Sequence, residues 1–235
     1  MTEDFELRSS PDTFLALRCG GCGSVFLSLV PSGDSDGRYV VPPGSLHRTP
    51  PWRIVPGGAR VLDLGPGVDP DQLQRLSKQH APYDLARLDL TLEYAPDPVA
   101  TLQAVHAALR PGGHAIVLLN NLRSPAFAWF GGRHWGGYDT PRQRRVITLD
   151  GLARLARAAD LELAEVAGVA DPGPWMRSLH RWGTDWGAPA WLCRRFSPNA
   201  LVAPVLFRAV EVALRRSGRA AFLLATLRRP EAPAP

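Results

Sequence analysis

Hydrophobic and polar positions along the chain fall into two regimes that change over near residue 59. Before it, the apolar runs are short. "TFLALRC" and "SVFLSLV" flank Gly20-Gly21-Cys22-Gly23, a hairpin signal, and "RYVVPPG" is a third short strand candidate. "HRTPPWRIVPGG" is rich in Pro and Gly and reads as a connector. From residue 59, strands and helical patterns alternate. "ARVLDLG" is a buried strand, and "DPDQLQRLSKQH" is a helix with Asp69 as N-cap and Pro70 at its first position. "YDLARLDLTL" is a second strand, ending at Glu93-Tyr94. "DPVATLQAVHAALRPGG" sets Val99, Leu102, Val105 and Leu109 on one helical face and stops at Pro111-Gly112-Gly113. "HAIVLLN" is a strand, "TLDGLARLARAADL" an amphipathic helix, "ELAEVAGV" a strand, and "RAAFLLATLRRP" the last strand. This alternation predicts an α/β fold, a mostly parallel sheet with helices on its faces.

The pattern divides the chain into five parts. Residues 1–55 form an N-terminal β extension and 56–170 an α/β core. Residues 171–217 form a Trp- and Arg-rich helical cap, inserted before the closing strand at 218–229. Residues 230–235, "PEAPAP", have the composition of a disordered tail. No internal repeat is present.

Composition narrows the class. The 235 residues are 45% hydrophobic and 21% charged, ordinary for a globular protein with a buried core. No apolar run is long enough to span a bilayer, and the acidic first ten residues do not read as a secretory signal. Three cysteines, Cys19, Cys22 and Cys193, are a sparse, odd set consistent with a reducing, cytoplasmic location. The net charge of +5 is uneven: residues 175 to 229 hold ten Arg against Asp185 and Glu211, a balance of +8, leaving −3 elsewhere. Lys78 is the only Lys, and with so much Ala and Pro this reads as the usage of a GC-rich bacterial genome.

The candidate chemistry begins where the strand "VLDL" meets Gly65-Pro66-Gly67. A strand end, a tight Gly turn and a helix N-terminus together make a recurring cradle for nucleotide-like cofactors. Glycine lets the backbone approach the ligand, and the helix end offers free N–H groups. Alone, Asp-x-Gly-x-Gly is a weak pattern.

The order of segments adds specificity. "RVLDLGPG", "YDLARLDLTLEYAPDP", "LRPGGHAIVLLNN" and "W…P…ITLDGLARLARAADLEL" together resemble the class I S-adenosylmethionine-dependent methyltransferases. The resemblance is closest to the small-molecule type with a zinc-ribbon-like C-x-x-C-G leader. It spans roughly residues 14 to 30 and 59 to 170. It implies a Rossmann-like sheet and S-adenosylmethionine as cofactor. Asp63, Gly65 and Gly67 match the loop that holds the cofactor's methionine part, and Asp69 matches the acid that takes the ribose hydroxyls. Leu90 to Glu93 match the strand end that faces cofactor and substrate. Asn120, Asn121 and Trp135 match a segment lining the substrate pocket. For catalysis the candidates are Glu93, Tyr94 and His134, with Asp139 beside them. Tyr94 and Gln143 stand where this family often has His, and Gln cannot serve as a base.

The fold is expected to be contracted. Only 16 residues separate Gly67 from Asp84, whereas one βαβ unit needs about 30. The resemblance calls for two βα units there to grip ribose and adenine. Their loss would leave the strand at 60–64 as a sheet edge, which exposes it to aggregation. The strands around 13–30 and 38–41 are expected to pair there instead.

Two functions remain open. One is methyl transfer to a small or lipid-like acceptor. The other is a pseudoenzyme, a methyltransferase-like binding subunit with a protein partner docked at the sheet edge. No metal is expected: Cys19-Gly-Gly-Cys22 is half a zinc site without a second pair, and reads as a vestigial knuckle. In "PWMRSLHRWGTDWGAPAWLCRRF", Trp175, Trp182, Trp186 and Trp191 read first as packing the cap onto the sheet, next as a ligand or partner pocket, and last as a peripheral membrane contact. In the amphipathic helix that follows, Leu201, Val205, Leu206, Val210 and Leu214 are expected to form one apolar face. Nucleic acid is disfavoured, since no base-reading motif accompanies the Trp and Arg.

Overall fold

Four apolar strands from the core segment and one from the end of the chain build the central sheet. The computed structural model describes residues 2–3, 13–27, 58–68, 75, 82–140, 142–196 and 203–231. Strands β5 (Val61–Leu64), β6 (Tyr83–Asp89) and β7 (Leu109–Asn120) run parallel, with Leu62 opposite Ala86 and Arg87 opposite Ile116. Strand β10 (Phe222–Arg228) enters antiparallel between β7 and β9 (Glu162–Val169), giving the order β5-β6-β7-β10-β9. This is the Rossmann-like α/β sheet expected, mixed because β10 runs antiparallel to both its neighbours. Within the described sheet β5 has β6 as its one neighbour.

Alternation along the strands decides which face is packed. Leu62, Leu64, Ala86, Leu88, Ala115, Val117, Leu119, Ala225 and Leu227 point to one side. There they meet Leu102 and Val105 of helix α2 (Pro98–Ala108) and Leu152 and Ala156 of α4 (Leu149–Ala158). Burying each such leucine contributes roughly 2 kcal/mol, so this layer holds the sheet together. Helix α2 starts on Asp97, whose side chain accepts from Val99 N and Ala100 N. Thr148 caps α4 the same way through Gly151 N. On the opposite face a smaller cluster, Leu90, Tyr94, Leu118, Ala221 and Phe222, packs only near the carboxyl ends of β6 and β7.

The leader departs from expectation. The run 13–19 divides: β2 (Thr13–Phe14) pairs with β1 (Thr2–Glu3), and β3 (Ala16–Arg18) with β4 (Val25–Leu27). Strand β4 then pairs with β8 (Arg145–Val146), Val25 opposite Val146. The hairpin therefore does not replace the outer strands at 60–64. Its seat is chemical. Ser24 Oγ accepts from Thr148 N at 3.2 Å, Thr148 Oγ1 donates to Cys22 O at 2.6 Å, and Arg154 donates to Gly21 O at 2.9 Å. These bonds fasten the turn to the N-terminus of α4. The strand candidate at 38–41 and the helix after Asp69, apart from Arg75, lie outside the described residues.

Two boundaries also move. The strand expected to run to Tyr94 ends at Asp89, and Thr91–Tyr94 form a short helix, α1. Helix α2 stops at Ala108, and Leu109 opens β7 with extended backbone; Pro111-Gly112-Gly113 form an irregularity inside that strand. Between β9 and β10 come α5 (Gly173–Asp185), α6 (Ala190–Arg195) and α7 (Ala203–Arg215). Of the four Trp there, Trp175 is buried, whereas Trp182, Trp186 and Trp191 are exposed. Trp175 joins Val25, Trp135, Tyr138 and Val146 in a cluster shared with Ala126 of α3 (Pro125–Phe130), which ties cap to core.

Candidate functional site

Two adjacent parallel strands end together and leave a gap. Leu64 is the ladder partner of Leu88, so Gly65 follows on one strand where Asp89 follows on the other. The chain then turns sharply. Leu90 adopts φ 52°, a left-handed conformation that a leucine holds only where its surroundings fix it. Leu90 is buried, and the next residue, Thr91, donates its hydroxyl to Leu64 O, stapling the end of β6 to the end of β5. Gly67 has φ 78°, a conformation that favours glycine. Among the described residues a Cβ at Gly65 would meet nothing within 4 Å. Beside this open backbone, Asp89 Oδ1 is buried with no hydrogen-bond partner among the described residues, and burial pushes the carboxyl up to about 6. Open glycine backbone and a poorly satisfied carboxylate thus share the carboxyl edge of the sheet, where α/β folds bind ligands.

The other expected cofactor residues sit differently. Asp63 points to the less-covered face and is held by both Arg87 Nε and Arg87 Nη2. That pairing raises the Arg87 pKa. Asp69 lies outside the described residues.

Glu93 and Tyr94 are carried off the strand by α1 into the interior. Glu93 is fully buried. Its Oε1 accepts from Asn120 N at 3.2 Å and Ile147 N at 3.3 Å, and its Oε2 from Asn120 Nδ2 at 2.6 Å and Gln143 Nε2 at 2.7 Å. Burial pushes its pKa up to about 7, and the four hydrogen bonds restrain the rise. Tyr94 Oη donates to Asp139 Oδ2 at 2.9 Å, and Asp139 is ion-paired with Arg142. Burial first, then the Asp139 charge, hold the Tyr94 hydroxyl well above its usual pKa. Gln143, read from sequence as a lost base, closes the knot by accepting from Asp139 N at 3.0 Å. The knot ties α1, the end of β7 and the start of β8.

His134 engages Asp185 at the end of α5, Nε2 to Oδ2 at 3.0 Å. Asn121 donates to Gly218 O and Ala220 O, so it braces the turn before β10. Asn120 and Trp135 are interior, and each keeps one polar atom without a partner among the described residues, Oδ1 and Nε1 respectively. The structure therefore brings Glu93, Tyr94, Asp139 and Asn120 together, and sets His134 with α5.

Thr91 belongs to the stretch Leu90 to Glu93 expected to face the site, whereas Asp89 is not among the expected residues. The signal for Asp89 is its charge near the end of "YDLARLDLTL", just before the strand breaks. In the leader, Cys19 accepts from Gly23 N at 2.9 Å and donates to Ser24 O at 2.8 Å through its backbone, and Cys22 Sγ donates to Ser24 Oγ. The turn holds its knuckle shape by these bonds. Among the described residues no group of three or more His, Cys, Asp or Glu is placed to hold a metal ion.

Residues 68–166 match the family model described as a methyltransferase domain, a match that begins one residue after Gly67. The match covers less than half of the chain, and over those residues the chain is similar to that family. It is similar to the ubiquinone biosynthesis O-methyltransferase of Aeromonas salmonicida, 29% identical over 126 residues that cover 48% of this chain and 52% of that protein. The enzyme of the same name from Cupriavidus pinatubonensis is 35% identical over 99 residues, 38% of this chain and 39% of that one. The chain thus spans about half the length of the curated relatives it matches, or less. Among solved structures, an S-adenosylmethionine-dependent methyltransferase from Mesorhizobium loti is 18% identical with a TM-score of 0.39, covering 74% of this chain and 92% of its own. Among the described residues, no helix is long and apolar enough to cross a membrane.

Proposed function

We propose that the protein transfers a methyl group from S-adenosylmethionine to a small or lipid-like acceptor. The observation that carries this reading is the pairing of Gly65, open among the described residues, with the half-buried Asp89, whose Oδ1 has no partner among them, at the ends of neighbouring parallel strands. These residues fit the methionine end of the cofactor. A carboxylate suits its ammonium group, and glycine backbone N–H groups suit its carboxylate. When bound, the cofactor supplies an electrophilic methyl group on a sulfonium.

The chain's own residues have separate tasks. Gly65 and Gly67 admit the ligand to the backbone, and Asp89 accepts its hydrogen bonds. Thr91 fixes the spacing of the two strand ends by its bond to Leu64 O. Glu93 and Tyr94 act as positioning residues, because their polar atoms are spent inside the knot. Asn120 and Trp135 retain the unpartnered polar atoms with which an acceptor would be oriented. Asp63, the residue the resemblance assigns to the cofactor, would act through Arg87. The relatives that act in ubiquinone biosynthesis support an acceptor with a greasy body.

Calorimetric titration with S-adenosylhomocysteine tests the reading. Micromolar binding is expected in the full chain, abolished by Gly65→Val and weakened by Asp89→Asn, with unchanged melting temperature for Gly65→Val. Absence of binding up to millimolar ligand would discard autonomous methyl transfer and leave the partner-subunit function.

A further inference from the structure

Helix α7 turns its one acid inward and much of its apolar surface outward. Glu211 is fully buried and accepts from Trp175 Nε1 at 2.7 Å and Ala221 N at 2.6 Å, and the exposed Arg208 donates to Ala170 O at 2.6 Å. Val205 is 70% exposed, Leu206 62%, and Val210, Val212, Ala209 and Ala213 are exposed beside them. An amphipathic surface helix ordinarily does the reverse. The apolar face expected of Val205, Leu206 and Val210 is present and exposed.

Other exposed aromatic groups belong to neighbouring helices. Phe207 of α7 stacks inward on the buried Trp175, centroids 5.4 Å apart, and the exposed Trp129 of α3 packs edge-on against the same Trp175 at 5.6 Å. On α5 and α6, Trp186 and Trp191 are largely exposed, and Trp182 lies 5.8 Å from Trp186. Around these apolar groups the charge is positive. Arg215, Arg216 and Arg219 are exposed at the end of α7, and the Arg195 guanidinium sits 5.7 Å over the Trp191 ring.

We infer that this face docks flat on a bilayer surface rich in anionic lipid. Outward indoles and aliphatic side chains suit the headgroup–acyl boundary, and exposed arginines suit anionic headgroups. Helix α7, about 20 Å long at 1.5 Å per residue, is too short to cross and the right length to lie in the plane. The exposed Arg195, Arg208, Arg215, Arg216 and Arg219 select an anionic surface over a second copy of the same cationic face, which would repel itself. The inference stands whether or not the protein transfers methyl groups.

Vesicle flotation of the full chain tests it, using phosphatidylcholine alone and phosphatidylcholine mixed with phosphatidylglycerol. Folded protein should float with the anionic vesicles, with a blue shift of Trp emission, and raising the salt should release it. The double variants Val205→Ser/Leu206→Ser and Arg216→Glu/Arg219→Glu should each lose about tenfold or more in partitioning. Their melting temperatures should stay unchanged, because these side chains are exposed. Absence of flotation by folded wild type would overturn the inference. So would variants that float like wild type, or a dimer in sedimentation that Val205→Ser/Leu206→Ser dissolves.

Discussion

Asp63 and Arg87 stand directly opposite one another on the parallel β5–β6 ladder, and two guanidinium nitrogens of Arg87 grip the two carboxylate oxygens of Asp63. A residue that the sequence motif assigns to a cofactor is thus engaged by its cross-strand neighbour. The pair is on the open face, with the Asp63 side chain 63% exposed. Asp63→Asn should therefore lower stability by less than about 1 kcal/mol in urea denaturation. A larger loss would mean the pair anchors the edge of the sheet.

The Glu93 knot makes stability fall as pH rises through the acid range. The folded-state pKa is about 7 against an ordinary 4.5, so between these values the folded form keeps a proton that the unfolded form has released. Stability from this group is complete below pH 4.5 and is lost by pH 7, a change of about 3 kcal/mol. Asp89, at about 6 from 3.8, adds a slope of the same sign. Urea denaturation at pH 5.0 and 7.5 (about the two ends of this window) should show wild type losing more stability than Glu93→Gln.

Glu93→Ala is the harsher change. It strips four donors, Asn120 N, Asn120 Nδ2, Gln143 Nε2 and Ile147 N, of their buried acceptor. At about 1–3 kcal/mol for each unsatisfied group, the loss approaches the whole stability of a typical domain. The expected result is poorly folded protein, seen as a missing cooperative melt.

The two glycines of the turn should respond oppositely. Gly67→Ala places a Cβ at φ 78° and should cost about 1 kcal/mol in thermal unfolding. Gly65→Ala meets open space without a positive φ, so its stability should match wild type.

Thr148→Ala should loosen the leader as well as the helix. It removes the cap on Gly151 N and the bond to Cys22 O together. A loss of about 1–2 kcal/mol is expected. Limited proteolysis should then cut near Gly20-Gly21 faster than in wild type.

The alternation of strands and helices was legible because each element's apolar period matches its final burial: Val61–Leu64 and Phe222–Arg228 formed as strands where the pattern put them. Helix caps were legible too, as at Asp97. The pattern could not show the break after Asp89, because Leu90-Thr91-Leu92 reads equally well as strand. Only the pull of Thr91 on Leu64 O, across 27 positions of chain, fixes the turn there. For the same reason the interior destinations of Glu93 and Gln143 were hidden, since a carboxylate on a strand end reads as catalytic until its four donors are known. The inverted α7 was hidden in another way. Sequence locates an apolar stripe, and what the stripe faces depends on which helix side the buried Glu211 claims.

The docking of the leader hairpin bears on how the chain acquires its structure during synthesis. Val25 pairs with Val146 and Ser24 bonds to Thr148, so the hairpin must wait for a partner more than a hundred residues downstream. Contacts of that separation form late and slow the search for the native state. Until α4 emerges from the ribosome, Val25 and its neighbours have no surface to cover them. The turn bonds between Cys19, Gly23 and Ser24 span only five positions and need no distant partner. A pre-bent hairpin can thus persist through that interval and close over the core as one of the last events of folding.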